Sequence, residues 1–277
     1  MLAVIGGSGF YQLANGEQKQ VSTPFGDPSG PVTICDGALF LARHGAGHRL
    51  LPSEINYRAN IWALKSLGAR RIIAVSAAGS LRHKIAPGDF ILPSQYFDHT
   101  RGRRASTFFG DGLVAHVSSA ESSSTKLRDA LAAAAAQLGY QCHNGGIYAC
   151  VEGPRLGTRA ESFFLRDAIK ADIVGMTNIP EVFLAREAQL SYATLAIATD
   201  YDCWLDDPAQ HVTTQMVIQR FGESIAKARE MINSIIASPP QFDEEDEKHR
   251  RALAEAVLTP PEAQSAQHKK ILEVLRA

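Results

Sequence analysis

LAIATDYDCW, residues Leu195–Trp204, is the stretch on which the reading of this chain turns. Its apolar half, Leu195-Ala196-Ile197-Ala198, is a run of small and branched residues with no polar alternation. That is the pattern of a strand covered on both faces, as in a parallel sheet. The run then stops at two acids, Asp200 and Asp202, with one aromatic between them. Ligands of open α/β sheets bind beyond the carboxyl ends of strands, so the two carboxylates stand where a substrate is met. Capping of a following helix or pairing with an arginine are the other uses of such acids, and this stretch alone leaves them open.

The same pattern recurs outward from it. Ile72–Val75 reads as a strand that gives way to Ser76-Ala77-Ala78-Gly79-Ser80, small residues and hydroxyls that let a backbone approach phosphate or sugar. Leu39-Phe40-Leu41-Ala42 runs into Arg43-His44-Gly45, followed by His48. The arginine offers a planar fork suited to phosphate, and the histidine a second donor without fixed charge. Leu2–Ile5 runs into Gly6-Gly7-Ser8-Gly9, a phosphate-loop candidate that lacks a P-loop lysine and serves equally as a tight turn. Ala171–Thr177 is a further strand ending in Met176-Thr177. Gly146–Val151 runs into Glu152-Gly153-Pro154-Arg155, where Arg155 and Glu161 are expected to pair and hold the turn.

Between these strands lie helices with recognisable ends. Asn56–Leu67 has helical apolar spacing and stops at Gly68. Ser124–Leu138 is alanine-rich, with Leu127, Leu131 and Leu138 expected to face inward and Gly139 to end it. Glu181–Gln189 and Thr213–Ile236 complete the set. Asp98–Phe109, with three arginines, reads as an exposed excursion, and His116 just beyond it as a partly exposed structural histidine.

Composition narrows the possibilities. At 277 residues the chain suits one main α/β domain, here residues 1–238, with a charged helical extension over 239–277 that begins at Pro239-Pro240 and contains the acidic run Asp243–Glu247. The extension is expected either as a solvated tail or as packing on a neighbouring subunit. A formal net charge of -1 with 21% charged residues gives no electrostatic footprint for nucleic acid. Four scattered cysteines lack metal-like spacing, and MLAVIGGSGF enters a strand where a secretion signal would need an apolar helix, so a cytoplasmic protein with reduced thiols is expected. No apolar run approaches the roughly 20 residues of a membrane helix.

Taken together and in order, GGSG (6–9), ARHG (42–45), SAAGS (76–80), EGPR (152–155), MTNIPE (176–181) and ATDYDCW (198–204) closely resemble the methylthioadenosine phosphorylase branch of the trimeric purine nucleoside phosphorylases. The resemblance runs from about Leu2 to Ile236. It implies an α/β fold with a mixed, distorted central β-sheet surrounded by helices, assembled as a homotrimer with active sites near subunit interfaces. It implies phosphate contacts from Ser8, Arg43, His44, Ser76 and Thr177, with Ala77 beside the substrate and Met176 against the ribose. Asp200 and Asp202 match the pair that reads N7 and the exocyclic amine of adenine. His48 and Val217 line the 5′ side, and His116 matches a histidine lent by the adjacent subunit. Gly157 and Asp200 stand where relatives acting on 6-oxopurines carry Glu and Asn. Leu156 replaces an aromatic that stacks on the base, and Thr213 stands where a valine faces the 5′ group.

The implied reaction is phosphate-dependent cleavage of the N-glycosidic bond of S-methyl-5′-thioadenosine to adenine and 5-methylthioribose 1-phosphate. No metal or organic cofactor is expected; inorganic phosphate is the co-substrate. Orientation of phosphate and stabilisation of an oxocarbenium-like transition state would supply the acceleration. A protonated Asp200 would relieve the leaving adenine's charge at N7, and an ionised Asp202 would accept from the 6-amino group and reject a 6-oxo purine. The alternatives are a purine nucleoside phosphorylase acting on adenosine, 6-oxopurine nucleosides or methylthioinosine, and a non-enzymatic nucleoside-binding regulatory protein. A nucleotide-cofactor oxidoreductase built on GGSG lacks an acidic ribose reader after a second strand.

Overall fold

Asp200 of the opening stretch ends a strand whose ten residues are all buried, and Asp202 follows just beyond it. A computed structural model describes residues 1–7, 16–207, 211–241 and 244–277. Along the chain the elements are β1 (Leu2–Gly6), β2 (Glu17–Lys19), β3 (Val32–Cys35), β4 (Ala38–Ala42), α1 (Tyr57–Ser66), β5 (Arg71–Ser80), β6 (Phe90–Leu92), β7 (Gln95–His99) and α2 (Thr125–Leu138). There follow β8 (Cys142–Asn144), β9 (Ile147–Val151), α3 (Arg159–Phe163), β10 (Ile173–Gly175), α4 (Asn178–Glu187), β11 (Ser191–Asp200), α5 (Thr214–Ala237), α6 (Glu244–Arg250) and α7 (Ala266–Arg276). The fold class read from the sequence is the one observed: a mixed sheet with helices around it.

The sheet is organised on β5 and β11. Running β2-β3-β4-β1-β5-β10-β9-β7, it branches at β5, which also carries β11, and β11 in turn carries β6 and β8. β1, β5 and β11 are parallel, whereas β10 meets the far end of β5 antiparallel, pairing Ile173 with Ser80 and Val174 with Gly79. All ten residues of β11 are buried, as the uninterrupted apolar run requires. Side chains alternate across the sheet. Ile72 and Ala74 of β5, with Ala196 and Ala198 of β11, join the core that contains α1 and α4 residues; Ile73, Val75, Leu195 and Ile197 join the one under α2 and α5.

Helix starts follow local chemistry. Asn56, Ser124 and Thr213 each accept the backbone N–H three residues on, satisfying a donor that the first turn leaves unpaired. Gly139 takes the left-handed conformation at the end of α2.

Four expectations are corrected. β5 does not stop at Val75 but continues through Ser80, because β11 and β10 both supply ladder partners for its small residues. Leu138 is exposed at 38%, the last turn of α2 having run past the sheet. The arginine-rich excursion is not uniformly exposed, since Arg104 and Phe108 are buried. The C-terminal extension is neither a solvated tail nor without a seat on its own chain: Leu253, Ile271, Leu272 and Leu275 enter the core beside α1, each contributing about 1.5–3 kcal/mol by burial. Its acidic run also turns inward at Asp246, which is fully buried and holds Arg71 of β5 through two charge-assisted hydrogen bonds while accepting from the Ser191 hydroxyl at 2.7 Å. Among the described residues, no helix is long and apolar enough to cross a membrane.

Candidate active site

The ends of β4, β5, β10 and β11 bring most of the singled-out residues to one region. Arg43 follows β4 directly and is only 1% exposed. Its Nε and Nη2 donate to the two oxygens of Glu181 at 2.7 and 2.8 Å, and Nη1 donates to the Val75 carbonyl at 2.8 Å. Burial pulls its pKa down, but the facing Glu181 carboxylate outweighs this and raises it, so the guanidinium stays charged. Glu181 is itself fully buried and also accepts the Tyr192 hydroxyl at 2.9 Å. The fork is thus aimed by a planar two-point clamp, with one hydrogen on each Nη left for a ligand. A Cβ on Gly7 would come within 3.9 Å of both Arg43 Nη1 and the Phe221 ring, so the first glycine turn abuts the arginine. Ser8 lies outside the described residues.

Ser76, on β5, is next to the carbonyl that Arg43 binds, and its Oγ lies 3.4 Å from Thr177 Oγ1. Two hydroxyls and a guanidinium therefore surround one spot. Ala77 follows on β5, half-buried. His44 Nδ1 is 2.8 Å from the Leu50 carbonyl oxygen, and burial lowers its pKa to about 4. A carbonyl only accepts, so Nδ1 carries the hydrogen and Nε2 of the neutral ring is a lone pair, not the second donor expected from the sequence. Such a ring accepts the O–H of hydrogen phosphate. His48 stacks on His44 with ring centroids 4.2 Å apart.

The acids form the opposite wall. Asp200 ends β11, where the register against β5 shifts between Ala198 and Asp200. Its carboxylate accepts the Thr199 hydroxyl at 2.6 Å and the Asp202 N–H at 2.7 Å. Asp202 has φ 52, a left-handed backbone that folds it back toward β5. Burial raises the pKa of both acids, and Asp202 adds its charge to the shift of Asp200. For Asp200 the two donated hydrogen bonds act the other way and burial outweighs them. Both acids pack over Gly79: a Cβ there would sit 2.9 Å from Asp200 Oδ1 and 3.2 Å from Asp202 Cβ. A Cβ on Gly157 would face the Asp202 and Glu161 carboxylates at 3.9–4.0 Å, so an acid at that position would add a third negative charge.

Met176 joins the two walls. It precedes Thr177, and a Cβ on Gly153 would meet its sulfur at 2.5 Å. Its carbonyl and that of Ile179 accept from Arg104 Nη1 at 2.7 and 2.6 Å, while Arg104 also binds the Glu152 carbonyl at 2.9 Å and carboxylate at 3.2 Å. Arg104 therefore pins the backbone on both sides of Thr177 and the start of the EGPR turn. Arg155 and Glu161 pair as expected, at Nη1–Oε2 2.8 Å. Leu156 is half-buried after that turn, and Thr213 accepts the Met216 N–H at 3.2 Å through one lone pair. Val217 is half-buried one turn before Phe221.

His116 is not brought to this region. Its side chain is exposed and its N–H donates to the Ala256 carbonyl of the C-terminal extension at 2.9 Å. The sequence reading missed Glu181, Arg104 and Tyr148. The first lay in the quoted MTNIPE segment, but nothing in spacing alone tells a clamp from a helix-surface acid. Among the described residues there is no group of three His, Cys, Asp or Glu placed to hold a metal.

A family model described as the Phosphorylase superfamily matches residues 1–237. The S-methyl-5′-thioadenosine phosphorylase of Hyperthermus butylicus is 46% identical over 265 residues, covering 93% of this chain and 94% of that protein. A crystal structure of methylthioadenosine phosphorylase from an Antarctic soil metagenomic library has a TM-score of 0.89 at 44% identity, covering 99% of this chain and 98% of that one. The Schistosoma mansoni methylthioadenosine phosphorylase, solved in complex with adenine, has a TM-score of 0.87 at 37% identity, covering 93% and 98%.

Proposed function

The chain belongs to the phosphorylase superfamily, in its methylthioadenosine phosphorylase branch, and on that premise we propose how its residues carry out the family's reaction. The reaction is phosphate-dependent cleavage of S-methyl-5′-thioadenosine to adenine and 5-methylthioribose 1-phosphate, a pentosyl transfer. The observation that carries the reading is the division of the site into two walls. One holds a buried, charged arginine beside two hydroxyls, and the other two buried acids with raised pKa.

Phosphate enters against Arg43, Ser76, Thr177 and His44, with Ser8 of the GGSG segment as a further hydroxyl. Its oxygen attacks C1′ as the C1′–N9 bond breaks, and the departing base takes a proton at N7 from Asp200. The raised pKa of Asp200 is what lets a carboxyl act as an acid there. Asp202 accepts from the 6-amino group, and the space at Gly157 keeps a third acid away from it. Met176 and Ala77 bound the ribose and base, with Leu156 offering apolar area but no stacking. His48 and Val217 line the 5′ side. Thr213 caps α5 through one lone pair and keeps its O–H to meet a 5′-hydroxyl, so adenosine stands as a secondary substrate behind methylthioadenosine. The chemistry calls for no metal or organic cofactor.

The same reading makes the working assembly a cytoplasmic homotrimer, with residues 1–238 as the catalytic body, 239–277 as its extension, and His116 serving a neighbour's site. Exposed Val114 (46%) and Leu258 (60%) support this, since they sit beside His116 where Leu258 N–H donates to the Val114 carbonyl. The test is base release from methylthioadenosine, adenosine and methylthioinosine with and without phosphate. Free adenine is expected only with phosphate, fastest from methylthioadenosine. Faster turnover of either other nucleoside would replace the substrate assigned above.

A further inference from the structure

A serine hydroxyl has one hydrogen and two lone pairs, and facing a phosphate anion it is useful only as a donor. Something else must then donate to it. Tyr148, on β9, is fully buried, and its hydroxyl lies 3.2 Å from Ser76 Oγ. Ser76 spends its single hydrogen on the Ala77 carbonyl at 3.1 Å. The hydrogen between the two oxygens is therefore the phenol's, directed at Ser76. The Ser76 hydrogen is left for an acceptor, and an arriving phosphate oxygen is a stronger one than that carbonyl. Burial raises the tyrosine's pKa, so the donor is not lost at any working pH.

The reach of this tyrosine is built into the sheet. Tyr148 pairs with Ile173 on β10 and its ring passes over Gly175, where a Cβ would lie 2.0 Å from the hydroxyl oxygen and 2.6 Å from Cζ. Only glycine at 175 lets the phenol arrive between β5 and the Thr177 turn.

We propose that Tyr148 is a further positioning residue of the phosphate site, fixing the polarity of a relay from the Tyr148 hydroxyl through the Ser76 hydroxyl to phosphate. The inference rests on the function given above. Tyr148→Phe keeps the ring and its packing beside Tyr96 and removes only the hydroxyl. Steady-state kinetics should show the KM for phosphate raised roughly three- to tenfold, the effect of one hydrogen bond, with KM for methylthioadenosine and kcat at saturating phosphate within about twofold. Because Tyr148 acts through Ser76, the double variant with Ser76→Ala should have the phosphate KM of Ser76→Ala alone. An unchanged phosphate KM, an equal rise in both KM values, or additive effects in the double variant would overturn the relay. Wild-type turnover without phosphate would instead overturn the function on which it rests.

Discussion

Asp200 and Asp202 are buried with no described ion pair reaching either, and both pack over Gly79, where a side chain would collide with them. Burial raises the pKa of Asp200, and its use as an acid ends as pH rises through that raised value. Asp200→Asn keeps the shape and removes the acid, so turnover of adenine nucleosides should fall by roughly 10²-fold or more while preference moves toward 6-oxopurines. Unchanged kinetics on both substrate types would remove Asp200 from the mechanism. The position of the two acids at the end of a buried strand was legible from the apolar run before them, while that stretch alone left their use open. Glu181 and Arg104 were not legible, because each acts on a residue more than seventy positions away in the chain, and only the fold puts them together.

At the scale of elements, strand identities and helix caps followed from apolar runs and from Asn56, Ser124 and Thr213. What sequence could not supply was the far half of β5. Ser76–Ser80 has the composition of a loop, and it is a strand only because two neighbours pair with it from different directions. The segment after β7 was misread for a similar reason: its charges look solvated but Arg104 is drawn under Met176. Glu187 at the end of α4 latches that segment, accepting the Thr107 hydroxyl at 2.7 Å and the Phe108 N–H at 2.8 Å. Burial raises its pKa to about 7. A folded-state pKa above the unfolded value means that the folded protein binds the extra proton. This contribution is therefore full below the ordinary carboxylate pKa and lost as pH rises through about 7. Between pH 5 and 8 the wild type should lose up to about 3 kcal/mol through this group, and Glu187→Gln should lose correspondingly less. Urea unfolding midpoints at the two pH values decide it, and identical pH slopes in both proteins would show that the latch does not titrate.

For the whole molecule, the sequence resemblance ran to about Ile236 and left the extension undetermined, since an acidic run gives no sign that its Asp246 meets Arg71 inside the protein. The exposed position of His116 beside that extension makes a concrete demand on assembly. If His116 completes a neighbour's site, His116→Ala and Asp200→Asn chains, each weak alone, should recover activity when co-assembled, because some mixed sites then carry both native residues. No recovery in verified mixed oligomers would confine each site to one chain.

The central claim is that the arginine and hydroxyl wall places phosphate for attack on the sugar while the acid wall releases adenine. Following ³¹P resonances during turnover of methylthioadenosine tests it most directly. Inorganic phosphate should disappear as a sugar 1-phosphate appears, one for each adenine released, and Arg43→Ala should abolish both together. Adenine release without loss of inorganic phosphate would make water the acceptor and contradict the account.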